Sequence, residues 1–287
     1  MQNIIIYPFF DENKDWNFHV WAPKANKVQL ITDNPKDVFS LAKINDEGYW
    51  SLKLKNIRTG TRYKYRLDEK NTLPDPGSLS QPDGVHEPSE IIDIRSFPWT
   101  DHQWKNIPLS EMIQYELHTG TFSEKENFRG IISKLDYLKE LGINTIEIMP
   151  VAQFSGKRNW GYDGVYPFAV HSSYGGAFEL MNLVNECHSR EIAVILDVVY
   201  NHFGPEGSYA DQFGYYHSGF YSTPWGKPMN FDGPHSDGVR NYFVQNAIMW
   251  CRDFHMDGLR LDAVHAIYDF REKHIMQELE ENLDSLS

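Results

Sequence analysis

The chain has 287 residues, a formal net charge of −13 and 41% hydrophobic residues. That length supplies one large domain or two smaller ones, with enough apolar material for a sizeable core. The acidic balance, with no basic stripe, excludes nucleic acid as a partner, because phosphate binding needs clustered Lys and Arg.

No apolar run approaches the roughly 20 residues of a membrane span. The opening stretch MQNIIIYPFFDENKDW has no charged start and no long apolar centre, so it does not read as a signal peptide. Cys187 and Cys251 are the only cysteines and both fall in helix-like stretches, which fits reduced core thiols and a cytoplasmic location.

The first elements are strands. WNFHVWAP (16–23), KVQLI (27–31), YWSLKLK (49–55) and RYKYRL (62–67) alternate apolar and polar residues, with Asp46, Gly48 and Gly60 at turns. Short strands at this spacing predict a small β-sandwich. LPDPGSLSQPDGVHEPSE (73–90) is too rich in Pro, Gly and Ser for regular structure and reads as a linker or docking loop. A first unit over 1–100 and a second over 101–287 are expected.

The second unit changes rhythm. MIQYELH (112–118), INTIEIMP (143–150), IAVILDVV (192–199) and MDGLRLDAV (256–264) read as strands. Helices are predicted between and after them at 131–142, 177–190, 239–255 and 268–283. Four alternations of this kind predict an α/β fold, a parallel sheet covered by helices, and near-continuous apolar strands suit burial on both faces. The loops after strands are long and rich in Gly, Trp, Tyr, His and Asp; those after helices are short. A (β/α) barrel carries its chemistry on the loops at the strands' C-terminal ends.

GLRLDAVHAI (258–267) places Arg260 and Asp262 two apart in a strand, so they share a face. An arginine beside a carboxylate keeps it ionised, which suits a nucleophile at a glycosidic carbon. A structural ion pair at a strand end fits Arg-x-Asp equally well. The preceding strand ends DVVYNH (197–202), with Asp197 at its end and Asn201 and His202 beyond.

DVVYNH and GLRLDAVHAI together resemble two strand-end motifs of the α-amylase superfamily of glycoside hydrolases and transglycosidases, and WGYDGVYPF resembles its substrate-loop motif. The resemblance implies Asp262 as nucleophile with Arg260 as its partner. Asp197 would shape the site, His202 would bind a sugar hydroxyl, and Tyr162 would stack on the ring at the cleaved bond. Trp160 and His265 would be further glucan contacts. Within the superfamily, DPGSLSQPDGVHEPS (75–89), YELHTGTF (115–122), MPVAQFSGKRNWGYDGV (149–165), YNHFGPEGSY (200–209) and TPWGKPMNFDGPHS (223–236) are similar to the maltooligosyltrehalose trehalohydrolase family. That implies hydrolysis of the α-1,4 bond beside the trehalose end of maltooligosyltrehalose; branching or debranching of α-glucan is the alternative enzymatic reading.

The same resemblance sets an expectation the sequence does not meet. Retaining hydrolysis needs a nucleophile and a general acid about 5–5.5 Å apart, and the superfamily's acid is a glutamate ending a fifth strand. Here there are four strand-helix units, the first four of a (β/α)8 TIM barrel. Glu278, Glu280 and Glu281 read as a solvated helix face, and Asp257 and Asp269 do not match the acid's position. A shortened family member, weak or inactive alone, is therefore expected, with a glucan-binding remnant as the non-enzymatic reading. Four strands leave two unpaired edges, which invite self-association or a complementary chain. Asn201 resembles calcium-coordinating positions, but a lone Asn among scattered carboxylates usually anchors a loop; no metal and no cofactor are expected.

Overall fold

In a computed structural model, described for residues 4–33 and 36–286, the N-terminal alternation closes into two antiparallel sheets. The first three residues of the stretch weighed as a signal peptide lie outside the described residues. The strands are β1 (Phe9–Phe10), β2 (Trp16–Trp21), β3 (Val28–Thr32), β4 (Val38–Ser40), β5 (Ala42–Lys43), β6 (Tyr49–Leu54), β7 (Arg62–Leu67), β8 (Asn71–Leu73) and β9 (Ser89–Glu90). One sheet runs β1-β2-β6-β5 and the other β4-β3-β7-β8, with β9 added to β7. The period of two sends Phe18 and Val20 from the first sheet and Tyr63, Tyr65 and Leu67 from the second into one interior. Phe18 meets Tyr63 edge to face at 5.6 Å.

The Pro- and Gly-rich stretch docks. Asp75 is fully buried and accepts the Tyr63 hydroxyl at 2.6 Å, while Gly77 N donates to its other oxygen at 2.8 Å. Burial pushes its carboxyl up to about 7 against those two bonds. Tyr242 and Tyr166 donate their hydroxyls to Pro76 O and Val85 O, both at 2.7 Å, tying the second unit to the stretch. Trp21 completes the contact, packing edge to face on Tyr216 at 5.2 Å. A side chain at Gly238 would strike its indole, a Cβ there lying 2.1 Å from it.

The second unit contains β10 (Gln114–Leu117), α1 (Phe128–Ile132), α2 (Leu135–Glu140), β11 (Thr145–Ile148), β12 (Ala152–Gln153), β13 (Tyr166–Val170), α3 (Gly176–His188), β14 (Ala193–Val198), α4 (Ala210–Phe213), α5 (Ser236–Ile248), β15 (Gly258–Leu261) and α6 (Ile275–Asp284). The four predicted strands pair in chain order, β10-β11-β14-β15, all parallel, as an open sheet. Its outer face carries Leu117, Ile146, Ile148, Val194 and Leu196, all buried. Each such side chain contributes about 1.5–3 kcal/mol. Its inner face carries Gln114, Glu116, Glu147, Arg260 and Asp262 and is polar and partly open.

Three expectations are corrected. The helix expected over 131–142 is two short helices, because the Ser133 hydroxyl donates to Gly130 O at 2.7 Å and competes with the helical bonds there. The helix expected over 268–283 begins at Ile275. Before it the chain wraps Asp269, which accepts from Arg271 N at 3.1 Å and Ile275 N at 2.6 Å and pairs with the buried Arg240. Finally, the loop after β11 holds an antiparallel hairpin of β12 and β13, whose fully buried YPFAV strand shows no alternation to betray it.

At the sheet's N-terminal end, His188 lies between Asp101 Oδ2 at 2.7 Å and Asp257 Oδ2 at 2.9 Å. Trp104 stacks on His188 at 4.6 Å and donates its indole N–H to Asp257 at 2.7 Å. Val194 N also donates to Asp257, at 2.7 Å. His255 holds Asp101 at 2.9 Å and stacks on Trp99 at 3.8 Å. Asp257 is thus a structural carboxylate at the end opposite the candidate site.

Candidate active site

The register of the last two strands builds the site. Asp197 on β14 pairs with Arg260 on β15, both one residue short of their strands' ends. Asp262 N donates to Val198 O at 3.0 Å, carrying the ladder one step further. Alternation then puts Asp197, Arg260 and Asp262 on the inner face. One guanidinium nitrogen, Arg260 Nη1, donates at 2.8 Å to Asp197 Oδ2 and at 2.8 Å to Asp262 Oδ1. From below, Glu147 on β11 approaches Arg260 Nε at 4.0 Å. The Tyr162 hydroxyl donates to Asp197 Oδ2 at 3.0 Å.

The two aspartates differ in access. The Asp197 side chain is 0% exposed and that of Asp262 20%. Burial raises Asp197 to about 6, against the bonds from Arg260 and Tyr162 that favour its charged form. Its second oxygen, Oδ1, is buried with no partner. Burial also raises the Glu147 carboxyl, helped by the charge of Glu116 and opposed by Arg260. Asp262 is therefore the carboxylate of the pair that an incoming ring can reach.

The turn after Asp262 is tight. Ala263 sits in the left-handed region at φ 43° and sends the chain into a 3-10 turn over Val264–Ala266. A non-glycine residue there costs about 1–3 kcal/mol and persists where the surroundings impose it. Asn201 points its amide N–H group at the carbonyls of Asp262, 3.4 Å, and Ala263, 3.5 Å. Its oxygen accepts from His202 Nδ1, so Asn201 secures the turn. His202 is buried, and burial lowers its pKa against the opposing charge of Asp262, which keeps the imidazole neutral at pH 7.

Of the seven residues named from sequence, Arg260, Asp262, Asp197 and Tyr162 form one hydrogen-bonded group. His202 and His265 are joined to each other by Trp225, which stacks on His202 at 6.0 Å and meets His265 edge on at 5.9 Å. Trp225 is half exposed and was not singled out in the sequence; TPWG in a polar loop was its signal. Tyr162 has no aromatic neighbour among the described residues, and its hydroxyl donates to Asp197, a contact the sequence did not indicate. Trp160 stands apart, 76% exposed, in a neighbouring cleft. Glu147 was also missed, although a charge inside TIEI was visible.

Three more of the carboxylates set aside in the sequence have ion-pair partners elsewhere. Glu278 pairs with Arg240 at 2.6 Å, Glu281 with Lys273, and Asp269 with Arg240. Among the described residues, one group of carboxylates is close enough to share a cation: oxygens of Glu116, Glu147 and Asp197 lie within 4.8 Å of one another. Arg260 already brings positive charge to two of them.

Comparison with known proteins agrees with this architecture. The chain matches the family models for the carbohydrate-binding module 48 (isoamylase N-terminal domain) over residues 8–87 and for the alpha amylase catalytic domain over residues 118–223. The second match includes Trp160, Tyr162, Asp197 and His202 and ends before Arg260, Asp262 and His265. The chain is 50% identical to the malto-oligosyltrehalose trehalohydrolase of Saccharolobus solfataricus, over 91% of this chain and 46% of that protein. It is 42% identical to that of Arthrobacter ramosus, over 94% and 47%. A crystal structure from Salmonella typhimurium, provisionally assigned as an alpha amylase, superposes with a TM-score of 0.88 at 36% identity, over 94% of this chain and 46% of that one. The chain thus spans less than half the length of the curated relatives it matches.

Proposed function

We propose, for a chain that belongs to the malto-oligosyltrehalose trehalohydrolase family and corresponds to its N-terminal part, that it carries the nucleophile half of a retaining glycosidase site. The observation that carries this is one arginine nitrogen shared at 2.8 Å by a sealed aspartate and an open one, at the ends of adjacent parallel strands. In the proposed reaction Asp262 attacks the anomeric carbon of the sugar next to the trehalose end of maltooligosyltrehalose. The glycosidic C–O bond breaks, trehalose leaves with a proton from a general acid, and water then frees the sugar from Asp262. Arg260 keeps Asp262 ionised and aimed, and Tyr162 and Asp197 fix Arg260.

Two other described carboxylates approach Arg260: Asp197, sealed from a leaving group, and Glu147, which lies below on β11 with its side chain only 9% exposed. The acid comes, in this reading, from polypeptide that pairs with the open edges of β10 and β15 and covers the inner face. That face carries Glu116, Glu147, Asp197 and Asp262 against one Arg260, so two copies of this chain would oppose like charges. A complementary segment fits better than self-association. The two free cysteines, one of them buried, suit a reducing compartment and so a cytoplasmic enzyme of trehalose formation.

A leaving group that needs no protonation isolates the half-site. We predict that the chain releases fluoride from an α-maltosyl fluoride, that Asp262→Asn does not, and that maltooligosyltrehalose itself is turned over poorly by the chain alone. Equal fluoride release by both proteins removes Asp262 as nucleophile. Products with new α-1,6 links would instead indicate branching.

A further inference from the structure

Trp160 raises a separate question. It lies two residues from Tyr162, yet the cleft it lines includes neither Tyr162 nor Asp197, Arg260 or Asp262. Gly161 makes the division: it sits at φ 102°, and a Cβ there would lie 2.1 Å from Pro150 O, so the backbone is pinned between the two aromatic residues. The cleft has a volume of about 700 Å³ and lies on the loops after β10 and β11.

Its floor is fixed. His118 Nε2 donates to Asn159 O at 2.8 Å and its Nδ1 accepts from the Thr121 hydroxyl at 3.1 Å, locking the two loops together. Its rim is cationic. Lys125, Lys157 and Arg158 line it, all exposed, against one carboxylate, Glu126. Among the described residues none of the three cations is in an ion pair. In a chain with a net charge of −13, three unpaired cations lining the same cleft as an exposed indole are a local reversal of sign. Unpaired cations at a concave site attract anions, and an exposed indole offers a flat apolar face to the C–H face of a pyranose.

We propose that this cleft is a second saccharide site, apart from the reacting centre, whose ligand is an α-glucan carrying a phosphate group. Trp160 stacks on a ring, and Lys157 and Arg158 hold the phosphate, with Arg158 capable of a bidentate contact. The saccharide part of this assignment rests on the proposed action on glucans; the phosphate part rests on the cations alone.

Calorimetric titration of the full chain bearing Asp262→Asn tests it, with maltose, inorganic phosphate and maltose 6′-phosphate as separate ligands. The phosphorylated disaccharide should bind at least about tenfold more tightly than either of the others, roughly 1.4 kcal/mol. Lys157→Ala/Arg158→Ala should erase that advantage, and Trp160→Ala should weaken the phosphorylated sugar without changing phosphate. Raising salt should weaken the phosphorylated sugar in the unaltered cleft, which keeps the test valid if the double variant folds poorly. Equal affinity for maltose overturns the anionic assignment; equal affinity for phosphate overturns the saccharide assignment; no binding overturns both. Because Asp262 is already replaced, these outcomes are independent of fluoride release.

Discussion

Two ionic clusters cap the same parallel strands, and they are opposites. At the N-terminal end, His188 is clamped between Asp101 and Asp257, whose side chains are each only 4% exposed, with indole and backbone donors completing the shell. At the C-terminal end, Arg260 bridges Asp197 and Asp262, but Asp197 Oδ1 has no partner, Asp262 is open, and Ala263 is held left-handed. The first is satisfied and closed, as a structural weld is. The second leaves polar capacity unused where a ligand can enter. Burial alone does not separate the two; completeness of partners does.

The carboxyl groups register the same contrast. Burial pushes Asp101 up, but the bonds from His255 and His188 outweigh it and leave its pKa below the ordinary value. Asp197 goes the other way, to about 6. The signs for stability are therefore opposite. A depressed carboxyl contributes stability above its unfolded pKa that is lost as pH falls through the folded value; a raised one makes stability decline as pH climbs from about 4 to about 6.

Substitution at each end of the sheet separates the two clusters most forcefully. His188→Ala strands two buried carboxylates and should cost about 3–5 kcal/mol, or prevent folding. Asp262→Asn should abolish fluoride release while changing stability by less than about 1 kcal/mol. Chemical denaturation of both variants checks the pair, and a large loss of stability for Asp262→Asn would make the C-terminal cluster structural too. A smaller effect belongs to Tyr162→Phe, which removes one donor to Asp197. It should raise the Asp197 pKa further and shift the acid limb of fluoride release to higher pH, at a stability cost of about 1 kcal/mol. Asp197→Asn should flatten the decline in melting temperature between about pH 4 and 6 relative to the unaltered protein. The least effect is expected from Ala263→Gly, which relieves the left-handed strain but frees the unfolded chain; stability should move by no more than about 1 kcal/mol.

Much of this was legible because it depends on local periodicity. The alternation in WNFHVWAP and RYKYRL gave β2 and β7 nearly to the residue, and period-two reasoning placed Arg260 and Asp262 on one face. The strand-end motifs placed Asp197 in the same site, but its register opposite Arg260 emerged only from the sheet. What was hidden depends on long-range packing. Trp225 reaches His202 and His265 only because the loop after β14 folds back over β15. β13 is buried all over, so its residues carry no pattern. The delayed start of α6 is set by Asp269 and by Arg240, 29 residues apart, and no local signal announces it. Trp160 and Tyr162, two residues apart in one motif, are parted by Gly161, whose conformation a motif does not disclose.

In the proposed reaction Asp262 forms a covalent bond to sugar. Incubating the chain with a 5-fluoro-α-glucosyl fluoride and sequencing its peptides by mass spectrometry tests that most directly. A single adduct of one glycosyl unit on Asp262, absent from Asp262→Asn, is the expected result. A folded protein that acquires no adduct, or acquires it on another carboxylate, would contradict it.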